Sequence, residues 1–374
     1  MFRLVKQSKI SRARLGQLKT AHGRIETPFF MPIATRAAVK SLAPDELEDL
    51  GSQIILSNTY HLMLRPGVKV IKKFGGLHQF MGWSGPILTD SGGYQVFSLA
   101  QIRKIKEEGV EFKSEIDGAK VLLTPEKAIE VQLILNSDIL MVLDECPPWP
   151  CAKKYAKKSL EMTTRWARRG KEHFSNLIIK QSAKGGKKNL MFGIVQGSTY
   201  KDLRLESARQ LLELDFDGYA IGGLAVGEPR RQMYQVLDYL VPALPPNKPH
   251  YLMGVGKPEE IIRAVQKGID MFDCVIPTRN ARHGLLYVFN RRKKKLTGDF
   301  YQTIKITNQR YQADTKPPDS RCGCYCCRHY SRAYLRHLFM TKEFLGLRLA
   351  TIHNLFFYLN LMAGIRQEIR AGQL

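Results

Sequence analysis

The sequence has no apolar run that approaches the roughly 20 residues needed to cross a membrane. Its first stretch, MFRLVKQSKISRAR, mixes apolar with basic residues and lacks the apolar segment of a secretory signal. Short repeats and low-complexity tracts are also missing. These absences argue against membrane-spanning, secreted and fibrous classes. We therefore expect a globular protein of the cytoplasm, with no membrane partner.

Acidic residues are few in comparison with basic ones. Asp and Glu number 34 against 58 Lys and Arg, which gives a formal net charge of +24. Much of the excess is concentrated in KKYAKK (153–158), RWARRGK (165–171) and NRRKKK (290–295). A solvated, lysine-rich surface is the simplest explanation of the charge alone. Focused basic patches, however, are typical of proteins that bind the phosphates of a nucleic acid.

Cysteine is scarce outside one segment, CGCYCC at 322–327, which holds four of the seven cysteines. In a reducing compartment such a cluster favours a metal over disulfides. The spacing of Cys322, Cys324 and Cys327 can place three thiolates on one tetrahedral ion. The available fourth ligands are Cys326, His329, His337 and His353.

His353 is the fourth ligand that we favour. Cys326 and His329 adjoin thiolates already used, so they would need a strained turn to reach the same ion. His353 lies on an apolar helical stripe, LATIHNLFFYLNLM, where a histidine is most often a hydrogen-bonded core residue. Three thiolates nevertheless need a fourth ligand, and a helix packed beside them supplies one. The set predicts one closed, structural Zn2+ site, with an iron–sulfur cluster as the alternative.

Short apolar runs alternate with amphipathic stretches along the chain, which predicts an α/β fold. Each run is too short for a core helix and is rich in Ile, Val, Leu or Phe, as buried parallel strands are. Eight alternations favour a (β/α)8 TIM barrel with insertions around 100–123 and 150–185, and a doubly wound open sheet is the alternative. The runs are FFMPIA (29–34), QIILS (53–57), PILT (86–89), ILMVL (139–143), LMFGIV (190–195), GYAIG (218–222), YLMGV (251–255) and MFDCVI (271–276).

Polar residues and glycines follow these runs, where a barrel carries its chemistry. They are Asn58, Thr59, Asp90, Asp144, Gln196, Gly223 and Gly256. Asp90 ends one run and precedes a Ser-Gly-Gly turn, and Asp273 lies within another. Carboxylates after strands often cap helices, but Gly-Gly after Asp90 makes a cap less favourable there. Two carboxylates at strand ends suit acid/base and nucleophilic work at an acetal-like carbon.

The sequence resembles the tRNA-guanine transglycosylases over nearly its whole length. The matching stretches are ETPFFMPIAT, SNTYHL, RPG, LTDSGGYQVFSL, LDEC, GIVQG, AIGGLAVGE, HYLMGVGKPEE, MFDCVIPTR and the C-x-C-x-x-C…H set. The resemblance implies a (β/α)8 barrel at 1–300, with a zinc-binding subdomain and C-terminal helices packed on the barrel at 301–374. It also implies an enzyme that exchanges a guanine in tRNA for a 7-deazaguanine without breaking the phosphodiester chain.

The resemblance implies a role for each matching residue. Asp273 would be the nucleophile at ribose C1′, and Asp90 the general acid/base. Asp144 would read the N1–H and amine of the base, while Gln196 and the Gly223 N–H would donate to its carbonyl. Tyr94 and Met253 would sandwich the ring. The substrate-binding set is Ser91, Gly92, Gly93, Tyr94, Asp144, Gln196, Gly223, Leu224 and Met253.

Two further segments match those with which the family grips the anticodon loop of tRNA. Their residues are Gly254, Val255, Gly256, Lys257, Pro258, Glu259, Glu260, Thr278, Arg279, Asn280, Ala281 and Arg282. The dipeptide Ala225-Val226 and Cys146 have a bacterial character, which favours 7-aminomethyl-7-deazaguanine over the bulkier queuine as the inserted base. Family members are commonly homodimers.

Two other functions compete with this hypothesis. A catalytically silent tRNA-binding subunit would be expected to lose the nucleophile, whereas Asp90 and Asp273 are both present. A barrel metal hydrolase would use the cysteines in catalysis, but the cluster falls after the last predicted strand and leaves no open coordination position.

Overall fold

The computed structural model describes residues 1–95, 103–182, 189–290, 296 and 298–374. At its centre lies one sheet of eight parallel strands, each within or overlapping one of the predicted apolar runs. In spatial order the strands are Phe29–Met31, Met271–Asp273, His250–Leu252, Gly218–Ile221, Leu190–Val195, Ile139–Met141, Ile87–Thr89 and Ile55–Ser57.

The sheet closes into a barrel. A parallel bridge joins Ile33 to Leu56, and the Ala34 N–H donates to the Leu56 carbonyl at 2.6 Å, so the first and last strands of the sheet meet. The strand residues are almost all buried, since one face fills the interior and the other is covered by helices. The prediction of a (β/α)8 barrel is confirmed, and the open sheet is wrong.

Helices connect the strands and cover the outside of the barrel. Thr124 caps one of them, because its hydroxyl accepts a bond from the Lys127 N–H at 3.1 Å and Pro125 follows in the first turn. In the described part of the chain, the α-helices up to residue 282 include Pro44–Asp49, Thr59–Leu62, Val68–Lys73, Leu77–Met81, Pro125–Ile134, Lys153–Ser182, Lys201–Leu212, Arg230–Leu240, Pro258–Gln266 and Ile276–Arg282.

Additions to the barrel lie at the chain's start and near the two predicted insertions. Phe2–Gln7, Arg14–Thr20 and Gly23–Thr27 form an antiparallel sheet, as do Arg103–Lys106, Gly109–Lys113 and Lys120–Leu123. The helix Lys153–Ser182 carries both of the basic patches at 153–171. The ends of the predicted insertions at 100–102 and 183–185, and the basic run at 291–295, lie outside the described residues.

The C-terminal part packs against the barrel. Strand Leu285–Phe289 pairs with Tyr301–Lys305, and three helices follow at Tyr325–His329, Arg332–Met340 and Phe344–Ala371. The last helix lies on the barrel, where the rings of Tyr358 and Phe30 are 5.0 Å apart. The predicted boundary at residue 300 falls inside the strand pair, and the division into two domains stays a prediction. Among the helices of the described residues, none is long and apolar enough to cross a membrane.

Candidate active site

Asp90 lies at the carboxyl end of the strand Ile87–Thr89 and is only 8% exposed. Its carboxylate accepts bonds from the Asn58 side-chain amide and, at 2.9 Å, from the Thr59 N–H. Burial raises the pKa of Asp90 to about 6, although both bonds oppose the shift; the charge of Asp273 adds to it. A carboxyl group with this pKa can both donate and accept a proton near neutral pH.

Asp273 ends the strand Met271–Asp273 and lies on the same face of the barrel. Its Oδ1 accepts bonds from the Tyr251 hydroxyl at 2.6 Å and from the Gly254 N–H at 2.8 Å. Burial raises the pKa of Asp273, and both bonds act against this shift. Because both donors point to the same oxygen, Oδ2 is the oxygen they leave available for attack on an electrophilic carbon.

Asp144 follows the strand Ile139–Met141 and is also 8% exposed. The Gln196 amide donates to its Oδ2 at 2.7 Å, and the Ser91 hydroxyl donates to its Oδ1 at 3.4 Å. Burial raises the pKa of Asp144 to about 6, although both of these bonds lower it. The Oε1 of Gln196 is buried and has no hydrogen-bond partner, so the pocket still has an acceptor to offer to a ligand.

Two glycines allow the walls of this pocket to approach each other closely. A Cβ at Gly93 would lie 2.6 Å from the Asp144 carbonyl oxygen. A Cβ at Gly223 would lie 2.5 Å from the Gln196 Oε1, and Gly223 has a positive φ of 61°. The remaining predicted pocket residues differ in exposure. Ser91, Gly92 and Leu224 are buried, Met253 is half-buried, and Tyr94 is exposed.

Cys146, two residues after Asp144, and Leu224, after the strand Gly218–Ile221, are both buried. Burial and, to a smaller extent, the charge of Asp144 raise the pKa of Cys146 to about 12, so the thiol stays neutral. Glu228 fixes the loop that follows Leu224, because its carboxylate accepts the N–H groups of Ala225 at 2.7 Å and Val226 at 3.0 Å. The dipeptide that we associate with base size is thus held in place by a buried carboxylate.

The segments 254–260 and 278–282, predicted to contact RNA, divide into exposed and buried residues. Glu260 is 3% exposed and forms an ion pair with Arg230 (Oε1–Nε 2.6 Å). The other buried members are Val255, Gly256, Pro258, Thr278 and Ala281. Exposed surface is offered by Gly254, Lys257, Glu259 and Arg279, and a smaller part by Asn280 and Arg282. Of the exposed side chains, Lys257 and Arg279 carry the positive charge that phosphates attract.

The four predicted metal ligands come together. The Nδ1 atom of His353 lies 3.6 Å from the sulfurs of Cys322 and Cys324 and 3.2 Å from that of Cys327. Tetrahedral zinc with Zn–S of about 2.3 Å and Zn–N of about 2.0 Å would separate sulfur and nitrogen by about 3.5 Å. The Nε2–H of His353 donates to the Tyr287 carbonyl at 2.7 Å, which turns the Nδ1 lone pair towards the thiols.

The geometry therefore fits a structural metal site, with no fifth protein ligand required. Cys326 is fully buried but is not among the residues whose ligand atoms lie within 4.8 Å of one another. A second group of potential ligands, His22, His78 and Asp138, lies at the opposite end of the barrel from Asp90. Its members already hydrogen-bond to each other, as when the His22 Nδ1 contacts both Asp138 oxygens at 2.9 Å.

Sequence reasoning missed two residues of the site. Tyr251 donates to Asp273, and Arg204 donates to backbone carbonyls around Gln196 and Gly223. The hydroxyl of Tyr251 inside an apolar strand was a usable signal, since a buried hydroxyl needs a partner. Arg204 sits in an amphipathic helix, where its pattern gave no sign that the side chain is fully buried.

A closed (β/α)8 barrel with the carboxylates of Asp90, Asp144 and Asp273 at the carboxyl ends of its strands defines the class, a barrel enzyme. The chain belongs to the queuine tRNA-ribosyltransferase family, whose model matches residues 8–374.

Related proteins agree with this membership. The queuine tRNA-ribosyltransferase of Desulforamulus reducens is 52% identical over 372 residues, which cover 100% of this chain and 95% of that protein. The protein of that name from Thermoanaerobacter sp. (strain X514) is 53% identical, over 100% of this chain and 94% of its own. The one from Psychrobacter sp. (strain PRwf-1) is 55% identical, over 96% of this chain and 90% of its own.

Proposed function

We infer that this chain is a tRNA-guanine transglycosylase, which acts at the wobble position of tRNAs with GUN anticodons in queuosine biosynthesis. The single observation that supports this most strongly is the placement of Asp90, Asp144 and Asp273. All three follow or end barrel strands at one end of a family member's barrel. We place the reaction in the cytoplasm, where its tRNA substrate is found.

We propose a double displacement at ribose C1′. The Oδ2 of Asp273 attacks C1′ and forms an ester-like bond to the ribose, while the bond between C1′ and the base nitrogen breaks. Protonated Asp90 gives its proton to the departing guanine. The incoming base then gives a proton to the Asp90 carboxylate, attacks C1′ and releases Asp273. A pKa of about 6 allows Asp90 to take both roles near neutral pH.

Asp144 is the proposed reader of the base edge. Ionised, its two oxygens can accept the N1–H and the exocyclic amine of a guanine-like ring. Gln196 now donates to the Asp144 Oδ2, and that bond would have to be exchanged for the base. The Gln196 amide and the Gly223 N–H would donate to the base carbonyl, with Tyr94 and Met253 on the two faces of the ring. Stacking of this kind contributes about 1–3 kcal/mol per base.

The proposed inserted base is 7-aminomethyl-7-deazaguanine. Ala225 and Val226 are held by Glu228, and Cys146 is buried. The bacterial character of these three residues supports a small substituent over the bulk of queuine. A competition assay between guanine, 7-aminomethyl-7-deazaguanine and queuine tests this choice directly. Preferred incorporation of queuine would contradict it.

The proposed metal is one Zn2+ per chain, with a structural role, bound by Cys322, Cys324, Cys327 and His353. We expect His353→Ala to lose zinc and destabilise the C-terminal helices, because metal binding is coupled to folding. His337→Ala is the matched control, since His337 is an exposed histidine of the same region. Elemental analysis of both variants checks the prediction, and zinc retained in His353→Ala would refute this ligand.

We also propose that the protein forms a homodimer. The C-terminal part exposes large apolar side chains, which favours a partner surface. They include Tyr325, Tyr334, Met340 and Phe344. The mass measured by light scattering after gel filtration tests this assembly, and a monomer at assay concentrations would contradict it.

Asp273→Asn tests the function as a whole. The amide cannot serve as the attacking oxygen, so we expect guanine exchange to fall below detection and the covalent RNA adduct to vanish from denaturing gels. Binding of tRNA should persist. Asp217→Asn is the matched control, because Asp217 precedes a barrel strand at the opposite end and its Oδ2 accepts the Met191 N–H at 3.0 Å. Full exchange activity in Asp273→Asn would overturn the assignment.

A further inference from the structure

Arg204 is a fully buried cation that forms no ion pair in the described part of the chain. Its guanidinium instead donates to three backbone carbonyls. Nε donates to Ser198 at 2.6 Å, Nη1 to Val195 at 2.8 Å and Nη2 to Gly223 at 3.2 Å. Buried arginines normally pair with a carboxylate, since burying an uncompensated charge costs stability. Stability alone therefore does not explain an arginine at this position.

The three acceptors have a common feature. Val195 and Ser198 flank Gln196, which follows one barrel strand, and Gly223 follows the neighbouring strand. These two turns carry the groups proposed to donate to the base carbonyl. The guanidinium bridges the turns directly, and the Gln196 Oε1 would lie 2.5 Å from a Cβ at Gly223. The separation of the two donors is thus fixed by one side chain.

We propose that Arg204 is a positioning residue for base selectivity, which sets the distance between the Gln196 amide and the Gly223 peptide. The inference rests on the proposed function, because it concerns how that site reads a base carbonyl. Two donors on different strands can bind one oxygen only when their spacing is held to within a fraction of an ångström. A planar guanidinium has donors in a rigid fork and can hold that spacing, whereas a flexible ammonium cannot.

The experiment compares Arg204→Lys and Arg204→Gln with wild type in the full-length protein. We expect Arg204→Lys to raise the KM for guanine at least tenfold, with kcat and the KM for tRNA within threefold of wild type. Discrimination between guanine and 2,6-diaminopurine, measured as the ratio of their inhibition constants, should fall as well. 2,6-Diaminopurine carries an amine in place of the carbonyl and lacks the N1–H that Asp144 reads. Asp144 is present in wild type and in Arg204→Lys, so a change of the ratio between these two proteins reports on the carbonyl readers.

Arg14→Lys is the matched control. Arg14 is also buried and donates to two carbonyls, of Pro246 at 2.7 Å and Lys248 at 2.8 Å, but it pairs with Asp270 at the opposite end of the barrel. We expect this variant to unfold at a lower temperature with an unchanged KM for guanine and unchanged discrimination.

Three outcomes would overturn the proposal. Arg204→Lys could leave discrimination unchanged, it could weaken guanine and tRNA binding equally, or both Arg204 variants could fail to fold where Arg14→Lys folds. The last would make Arg204 a stability element. Absence of guanine exchange in the wild-type protein would instead refute the proposed function, so the two failures are distinguishable.

Discussion

Buried aspartates lie at both ends of the barrel strands, and the side chains that contact them differ between the two ends. Asp138 and Asp270 precede strands at the amino end, while Asp90 and Asp144 follow strands at the carboxyl end. All four are at most 8% exposed. At the amino end the carboxylates have charged or ring-nitrogen partners. At the carboxyl end the described residues include no cation that forms an ion pair with either aspartate.

The aspartates at the amino end have many hydrogen-bond partners. Asp138 accepts the N–H groups of Ile87 at 2.9 Å and His22 at 3.0 Å, and it contacts the rings of His22 and His78. Burial acts to raise the pKa of Asp138, but bonds from His78, Ile87 and His22 outweigh it, and the pKa is lowered. Asp270 accepts two bonds from Arg14.

We propose that the two ends therefore separate stability from reactivity. A carboxylate whose partners favour its charged form stabilises the fold and resists protonation. A carboxyl group that is buried without a cation has a pKa closer to neutral, which proton transfer requires. The same residue type takes the two roles because of where its strand begins or ends. Three measurements test this contrast.

Activity should distinguish the ends most strongly. We expect Asp90→Asn to reduce guanine exchange on the order of a thousandfold, because the departing base loses its proton donor. Asp138→Asn should leave the rate within threefold at 25 °C. Exchange of radiolabelled guanine into tRNA measures both. A comparable loss of rate in the two variants would mean that the ends do not differ as described.

At pH 8, substitutions at the two ends of the barrel should change the free energy of unfolding in opposite directions. The pKa of Asp144 is about 6 against an ordinary 3.8, so its ionisation costs the folded state stability as pH rises between those values. At pH 8 the cost is up to about 3 kcal/mol, and Asp144→Asn should recover part of it, with no gain below about pH 4. Asp138, with a lowered pKa, stabilises the fold at pH 8, so Asp138→Asn should lose about 3 kcal/mol there.

Urea denaturation at pH 4 and pH 8 measures both effects. The contrast would be broken if the two substitutions changed the free energy of unfolding at pH 8 with the same sign. A gain for Asp144→Asn would also show that the site costs the folded protein stability, as reactive groups commonly do.

A smaller effect is expected at Asp273. The Tyr251 hydroxyl lowers the pKa of Asp273 against the effect of burial, so Tyr251→Phe should raise that pKa further. The acidic limb of the pH profile of kcat/KM should then move to higher pH by up to about one unit. Tyr358→Phe is the control, because its hydroxyl donates to the Gly256 carbonyl at 2.6 Å without touching Asp273. If the acidic limb shifted equally in both variants, Tyr251 would not act on the pKa of Asp273 as described.

Much of the fold followed from local sequence pattern. Eight apolar runs predicted the eight strands, because burial on both faces leaves a continuous apolar signature that needs no knowledge of the partners. The spacing of Cys322, Cys324 and Cys327 predicted one ligand cluster, since three thiolates within six residues can reach one ion whatever surrounds them. The Asp90, Asp144 and Asp273 positions followed from strand ends and from the family resemblance.

The tertiary structure alone decided the burial and the hydrogen-bond partners of each of these groups. Whether an aspartate gains a cation, as Asp270 does, or ring nitrogens, as Asp138 does, depends on side chains far away in sequence. The burial of Arg204 and the bond from Tyr251 to Asp273 arise in the same way. The sequence by itself determined which residues end the strands, because that information is local. Their charge state and spacing were decided by contacts between distant segments, which no local pattern encodes.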